Sequence, residues 1–322
     1  MKLVLFRKGK EISLGIVLGE QIIDLNAGFT ALPQKPSRLK KIFPMRDMKT
    51  FWENSPATLL LARKLQDSVK KGVRGKVRGP AAWGKVLLDM SQVKLLAPIT
   101  NPPKIICLAR NYVSHAREVA GDTPLPTSLL PFMKPTPAIV GPGDFVMMSS
   151  QCRKLDHEVK LAVVIGRKGR YIPEEEAMDH VGGYTILNDI SDREYIVQKE
   201  THRVNWFFMK AQDTFAPMGP ALVLRDEIED PHRLRLRLWV NGELRQDSSG
   251  EDMIFRIPSI ISILSRYVTL EPGDVIATGT PTGTSFSTNK FLRDGDVVEC
   301  EIEGIGRLKN VIKVENPIYR TF

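Results

Sequence analysis

The chain has 322 residues, of which 42% are hydrophobic, so it can bury a core and has the composition of a globular rather than a disordered protein. Its 46 Lys and Arg residues outnumber 37 Asp and Glu residues, and the net charge of +9 is compatible with nucleic acid, an anionic membrane or a small anionic substrate as partner. Three widely spaced cysteines, Cys107, Cys152 and Cys300, favour neither a disulfide framework nor a zinc cluster.

The first hundred residues predict a small β-rich domain with one helix. Short strands are expected at residues 2–6, 13–18 and 21–25, with turns between them. A helix is expected from Ser55, as the cap, with Pro56 at its first position, to about residue 69. We therefore place a small N-terminal accessory domain at residues 1–75, a linker at 76–100 and the main domain at 101–322.

A basic run lies at the predicted boundary and comprises Lys70, Lys71, Arg74, Lys76 and Arg78. A solvated linker is the simpler interpretation of such a block, and nucleic-acid binding is the alternative. No zinc-finger spacing or aromatic RNA-binding motif accompanies it. The opening residues lack the apolar stretch of a signal peptide, and no run of 18 apolar residues occurs. We therefore expect a cytoplasmic protein that binds neither nucleic acid nor membranes.

From residue 101 onward, short β-rich runs alternate with turns rich in Gly and Pro. Strands are expected at residues 104–108, 159–165, 234–240, 274–278 and 297–302. Helices are expected at residues 173–179 and 257–267, and the second has an apolar face at helical spacing. This pattern predicts a mixed α/β, β-rich fold.

The first group of polar residues that could support catalysis follows the strand at 104–108. His115 and Glu118 are three residues apart, so on a helix they share a face and can form a hydrogen bond. A carboxylate that orients an imidazole suits general-base catalysis. A solvated surface pair is the alternative interpretation.

A second group begins the apolar run at 159–165. On a strand, Asp156, Glu158 and Lys160 point to one face, where burial of their charges is costly unless they are paired or coordinated. A simple ion pair at the mouth of the strand is the alternative. Asp189 ends another nearly apolar strand, a place where a carboxylate can bind a hard cation. Thr280 lies in a loop of small residues that could approach an anion or form a plain turn.

These segments, together and in this order, resemble the fumarylacetoacetate hydrolase superfamily over about residues 100 to 317. The matching stretches are Asn111-Tyr112-x-x-His115-x-x-Glu118, Phe132-Met133-Lys134-Pro135, the strand that carries Glu158, Asn188-Asp189-x-Ser191-x-Arg193, Lys210-x-x-Asp213-x-Phe215-x-Pro217-x-Gly219-Pro220, Thr278-Gly279-Thr280-Pro281-x-Gly283, Phe291-Leu292-x-Asp294-Gly295-Asp296-Val297-Val298 and Gly304-Ile305-Gly306-x-Leu308-x-Asn310.

The resemblance implies a mixed β-sheet roll, commonly a homodimer, and chemistry on a small anionic 2-oxo or enol acid: C–C hydrolysis, decarboxylation or isomerisation. It implies Mg²⁺ (or Mn²⁺) as the cofactor, held by Glu158 and Asp189, which would bind the keto-acid oxygens and stabilise an enolate. His115, Glu118 and Lys210 would be catalytic, the first two as a water-activating pair. The residues that would hold the substrate are Arg110, Tyr112, Lys134, Arg193, Lys210 and Thr280.

Two positions depart from the family pattern. Lys160 stands where a second metal-binding Glu is usual, and Ser114 stands where an acid usually precedes the His. Exchanging a carboxylate for an ammonium changes the local charge by two units and repels a divalent ion. We hypothesise that the Lys160 ammonium occupies or crowds the metal position and pairs with Glu158 and Asp189. A non-catalytic paralogue that keeps the fold for anion binding or structure is the alternative function.

Overall fold

The computed structural model describes residues 1–32, 35–73, 85–195 and 204–315, which adopt the predicted mixed α/β, strand-rich fold. The helices are α1 (Leu25–Ala31), α2 (Met48–Glu53), α3 (Ala57–Val73), α4 (Val113–Ala120), α5 (Trp206–Lys210), α6 (Ile257–Tyr267) and α7 (Ser285–Thr288). The strands are β1 (Lys2–Lys8), β2 (Glu11–Leu18), β3 (Gln21–Asp24), β4 (Leu87–Asp89), β5 (Lys94–Leu96), β6 (Ile105–Ala109), β7 (Leu130–Lys134), β8 (Ile139–Val140), β9 (Phe145–Ser149), β10 (Leu155–Asp156), β11 (Val159–Ile165), β12 (Val181–Asn188), β13 (Ser191–Asp192), β14 (Ala216–Leu224), β15 (Arg235–Val240), β16 (Glu243–Ser249), β17 (Val275–Ala277), β18 (Val297–Ile302) and β19 (Gly306–Glu315).

One large sheet runs through both predicted domains. Its strand order is β4-β3-β2-β1-β14-β12-β11-β17-β6-β7, with β5 beside β1 and β8 beside β14. The junction is the antiparallel pair β1 and β14, which places Lys2 opposite Val223 and Leu3 opposite Leu222. The N-terminal strands therefore extend the sheet of the main domain. The predicted linker contributes β4 and β5 to the same sheet, and its residues 76–84 lie outside the described residues.

A second, five-stranded sheet with the order β16-β15-β18-β19-β9 packs against one face of the large sheet. All seven residues of β11 are buried, and their side chains alternate between two cores. Leu161 and Val163 join the core shared with the second sheet, whereas Ala162 and Val164 join the core shared with the N-terminal helices. This alternation continues to the start of β11 and sets the side on which Lys160 lies.

The predicted elements at residues 159–165, 297–302 and 257–267 coincide with β11, β18 and α6. The other predicted strands recur with ends shifted by a few residues. Helix α3 begins at Ala57, after a cis bond between Ser55 and Pro56, so the prediction that Pro56 is the first helical residue is wrong. Residues 174–180 form a 3₁₀ helix rather than an α-helix.

The basic run is only partly described, because Arg74, Lys76 and Arg78 lie outside the described residues. Within the described parts of the chain, no helix combines the length and the apolar character needed to cross a membrane.

His232 joins the loop before β15 to the start of α6. Its Nε2 accepts a hydrogen bond from the backbone N–H of Ile257 at 3.1 Å, and its Nδ1 lies 3.0 Å from Asp230 Oδ1. Burial lowers the pKa of His232 below its ordinary value, against the opposing effect of Asp230. A proton on Nε2 would remove the acceptor for Ile257 and place a positive charge at a helix N-terminus, where it is unfavourable.

We expect the free energy of unfolding to fall as the pH drops below about 6.5, because the unfolded chain then binds protons that the folded chain resists at His232 and at the fully buried His157, whose pKa burial also lowers. Replacement His232→Gln keeps an acceptor and should make this part of the pH dependence less steep by the share of His232. Urea unfolding from about pH 8 to about pH 5 measures it. With His180→Gln as the matched control, an equal flattening in both variants would contradict the assignment.

Candidate active site

A cavity of about 270 Å³ lies beside the end of β6, between α4, α5 and the loop after β17. Most of its wall is apolar, with a few charged groups among the lining side chains. The cavity-lining residues are Leu108, Ala109, Arg110, His115, Val119, Leu130, Phe132, Glu158, Arg193, Val204, Trp206, Met209, Lys210, Thr280 and Phe286. Six of the residues predicted for the site therefore meet in one cavity: Arg110, His115, Glu158, Arg193, Lys210 and Thr280.

The strand order explains why distant segments meet here. Strands β6 and β17 are parallel neighbours, with Cys107 opposite Ala277, so Arg110 and Thr280 follow them at the same edge of the sheet. Arg110 has a positive φ of 53°, which is uncommon for a residue with a side chain and is typical of functional sites. Gly283 has a φ of +95°, and an added Cβ would lie 2.0 Å from Arg245 O, so only glycine fits there.

His115 and Glu118 form the predicted pair on α4. His115 Nδ1 lies 3.0 Å from Glu118 Oε2, and Glu118 Oε1 accepts hydrogen bonds from Thr282 Oγ1 at 2.7 Å and Gly283 N at 2.8 Å. Burial alone would raise the pKa of Glu118, but the bonds from His115, Gly283 and Thr282 lower it below its ordinary value. Glu118 therefore stays a carboxylate that receives the Nδ1 proton, which leaves the lone pair of His115 on Nε2.

Only His115 of this pair lines the cavity. Glu118 does not line the cavity and contacts the imidazole, so it is placed to orient His115 rather than to touch a bound molecule, as the expectation of a catalytic Glu118 would require.

A buried network of seven side chains, which we call the ion cluster, adjoins the cavity, and Glu158, Arg193 and Lys210 belong to both. Its members are Lys134, Asp156, Glu158, Lys160, Asp189, Arg193 and Lys210. Four cations and three carboxylates leave a net charge of +1. Each side chain is at most 8% exposed, so the charges interact with little screening by water.

The two central carboxylates of the cluster each contact three cations. Asp189 lies 2.7 Å from Lys134 and Lys160 and 2.9 Å from Lys210. Glu158 lies 2.9 Å from Lys210, 3.1 Å from Lys160 and in contact with Arg193. Burial alone would raise the pKa of both carboxyl groups, but these cations lower both values, that of Glu158 far below its usual range.

The pKa values of the two central lysines, Lys160 and Lys210, shift in opposite directions. Burial alone would lower the pKa of Lys160, but Asp189 and Glu158 raise it above its ordinary value. Burial lowers the pKa of Lys210, and repulsion from Lys160 and Arg193 adds to this against the attraction of Asp189 and Glu158. Lys160 is therefore a fixed cation, whereas Lys210, which lines the cavity, gives up a proton more readily.

The predicted divalent cation does not fit this arrangement. The Lys160 ammonium lies between the carboxylates of Glu158 and Asp189, as hypothesised from the sequence, and the oxygens that a metal would use accept from cations instead. In the portion of the chain that the structure describes, no three His, Cys, Asp or Glu side chains come together as a metal site. A metal here would have to displace an ammonium and lie beside two more.

Two residues predicted to hold the substrate lie elsewhere. Tyr112 is fully buried in the core, where its backbone bridges to Met253, and it does not line the cavity. Lys134 is 2% exposed and donates to Asp189 Oδ1 and to Ile190 O, because a buried ammonium needs these acceptors. Both expectations are therefore corrected: Tyr112 supports the fold, and Lys134 neutralises Asp189.

Two positioning residues carried no signal in the sequence. Asp252 accepts the backbone N–H and the hydroxyl of Ser114 and so caps the start of α4 from 138 residues away. Gln246 accepts from Val159 N and donates to Thr280 Oγ1 at 3.0 Å, which ties β11 to the Thr280 loop. Neither contact follows from local spacing, since each joins segments that are remote in the chain.

Comparison with known proteins gives the relatives of this fold and site. Residues 104–313 match the family model described as fumarylacetoacetate (FAA) hydrolase C-terminal. The chain is 40% identical over 97% of its length to a mitochondrial oxaloacetate tautomerase of Xenopus laevis, 90% of which is covered. It is 46% identical over 71% of its length to an oxaloacetate tautomerase of Bacillus subtilis (strain 168), with 76% of that protein covered.

Comparison with solved structures indicates the same family. The chain superposes on a fumarylacetoacetate hydrolase of Exiguobacterium antarcticum with a TM-score of 0.75 and 31% identity, over 98% of this chain and 100% of that one. It superposes with a TM-score of 0.71 and 30% identity, over the same shares, on maleylpyruvate hydrolase of Sphingobium sp. SYK-6 in complex with manganese(II) and pyruvate. The protein with this cavity and ion cluster therefore belongs to the fumarylacetoacetate hydrolase family.

Proposed function

We propose that this protein is an enzyme that interconverts the keto and enol forms of a small 2-oxo dicarboxylate such as oxaloacetate. The observation that carries the proposal is a cavity in which His115, held by Glu118, shares the space with Arg110, Arg193 and Lys210. The choice of reaction is supported by the similarity to oxaloacetate tautomerases, 40% identical over nearly the whole chain in one case.

The charge of the cavity supports a dianionic substrate. The ion cluster carries a net charge of +1, and Arg110, which lies outside it, adds a second positive charge to the wall. A volume of about 270 Å³ suits a molecule of a few carbons rather than a polymer. Arg110 and Arg193 supply planar donor groups that match carboxylates.

The reaction is a proton shift between carbon and oxygen. His115 Nε2 takes a proton from the carbon next to the keto group, the released electron pair forms the C=C bond, and the C=O electrons move to oxygen. The Lys210 ammonium donates a proton to that oxygen, and its lowered pKa favours this transfer. Glu118 stabilises the imidazolium of His115. After the enol leaves, water takes the proton from His115 and returns one to Lys210, and the reverse sequence of steps forms the ketone.

We expect His115→Gln to lower kcat by roughly 10²- to 10⁴-fold, since that is the usual contribution of a general base. Glu118→Gln should lower kcat by about 10-fold with KM nearly unchanged, because its carboxylate stabilises the imidazolium without touching the substrate. Enol absorbance at ultraviolet wavelengths measures the rate, and pyruvate released by decarboxylation is assayed in parallel. Full activity of His115→Gln would contradict the assignment.

Wild-type protein that binds oxalate but accelerates no interconversion would instead favour the non-catalytic, anion-binding alternative. Pyruvate release at a rate above that of enol formation would assign decarboxylation to the cavity.

Arg110 is tested against Arg117, which lies on the following helix α4. Arg110→Leu should raise KM for oxaloacetate by about 10- to 100-fold with a smaller change in kcat, because it removes a charged hydrogen bond to a carboxylate. Arg117 is exposed, does not line the cavity and donates to the backbone oxygens of Gly121 and Thr123. Arg117→Leu should leave KM unchanged, and equal effects of the two variants would exclude Arg110 from substrate binding.

A further inference from the structure

We propose that the Lys160 ammonium is a built-in replacement for a divalent cation, so that this protein binds and converts its 2-oxo acid without a metal. The inference rests on the proposed function for the identity of the substrate, but its statement about metal binding stands independently of catalysis.

Every N–H donor of the Lys160 ammonium has an oxygen acceptor within reach. Its Nζ lies 2.7 Å from Asp189 Oδ2, 3.1 Å from Glu158 Oε2 and 3.1 Å from Leu108 O. An ammonium has three N–H donors, so three oxygen acceptors satisfy it fully. The side chain is 1% exposed and the Phe132 ring lies 5.1 Å from Nζ, so the ammonium is enclosed by protein atoms.

The charge at this position is the same as that of a loaded metal site. Glu158, Asp189 and Lys160 together carry a charge of −1. A third carboxylate in place of Lys160 would give −3, and a bound divalent ion would restore −1. The neighbours Lys134, Arg193 and Lys210 therefore experience the same total charge from the ammonium as they would from a carboxylate with its metal. One residue thus replaces both a ligand and an ion.

If Lys160 replaces the metal, another cation must contact the substrate, and Lys210 is in the position to do so. Lys160 is enclosed and does not line the cavity, whereas Lys210 does. Lys210 Nζ donates to Glu158 Oε1 and Asp189 Oδ2, both at 2.9 Å, which uses two of its three N–H donors. The third can reach a substrate oxygen in the cavity. Stabilisation of the developing enolate therefore falls to Lys210, with Lys160 fixing the carboxylates that hold it.

The experiment compares wild-type protein with Lys160→Glu and with Lys160→Gln as the uncharged control. Each protein is titrated with MnCl₂ by calorimetry, and its melting temperature is measured with Mn²⁺ and with EDTA. We expect no micromolar binding and no change in melting temperature for the wild-type chain. Lys160→Glu should bind Mn²⁺ at least about 100-fold more tightly and melt at a higher temperature when Mn²⁺ is added, because three oxygen ligands then converge.

Lys160→Gln should melt at a lower temperature than the wild-type protein and gain no Mn²⁺ binding, since it removes the cation without adding a ligand. Micromolar Mn²⁺ binding by the wild-type chain overturns the proposal, and it does so even if Lys160→Glu fails to fold. Wild-type conversion of oxaloacetate should be unchanged by EDTA, and loss of activity in EDTA also overturns the proposal. Absence of any conversion contradicts the proposed function instead and leaves the metal titrations decisive for Lys160.

Discussion

The contact of Lys160 with Glu158 and Asp189 is the interaction on which the arrangement of the site depends. Three carboxylates are buried in the ion cluster beside the cavity, and isolated buried charges are strongly unfavourable. Four cationic side chains of the same chain pair with these carboxylates in one network. Removing one partner of a buried ion pair typically costs about 3–5 kcal/mol. The cluster is therefore both a condition for folding this edge of the sheet and the source of positive charge in the cavity.

The imidazole of His115 depends on a separate set of contacts, and these come from the loop after β17. Glu118, which orients the ring, is itself held by Thr282 and Gly283. Ser114 accepts from Thr282 N and donates to Asp252, so helix α4 is fixed at its first turn as well. The general base is thus supported through Glu118 and Ser114, neither of which belongs to the ion cluster. The same stretch of chain continues into α7, where Ser285 N and Phe286 N donate to Asp156, so it contacts the ion cluster as well.

The sequence predicted much of the fold because its signals are local. The continuous apolar run of β11 and the helical spacing of Ile257 and Leu264 in α6 each arise within one element. Alternation along β11 also placed Glu158 and Lys160 on one face before any partner was known. The ordered motifs predicted the family, and six of the expected site residues meet in the cavity. The predictions that failed were the start of α3 at Pro56 and the positions of individual side chains.

The sequence by itself determined the family, the strand alternation and the change of charge at residue 160, since these need only residue identity and spacing. The tertiary structure decided which charges meet. In the folded chain Lys134 pairs with Asp189 and does not line the cavity. Tyr112 is buried in the core, and Asp252 binds the first turn of α4. The reason is physical: a hydrogen bond or ion pair acts over a few ångströms in space, and strand order, not position in the chain, determines which groups come that close.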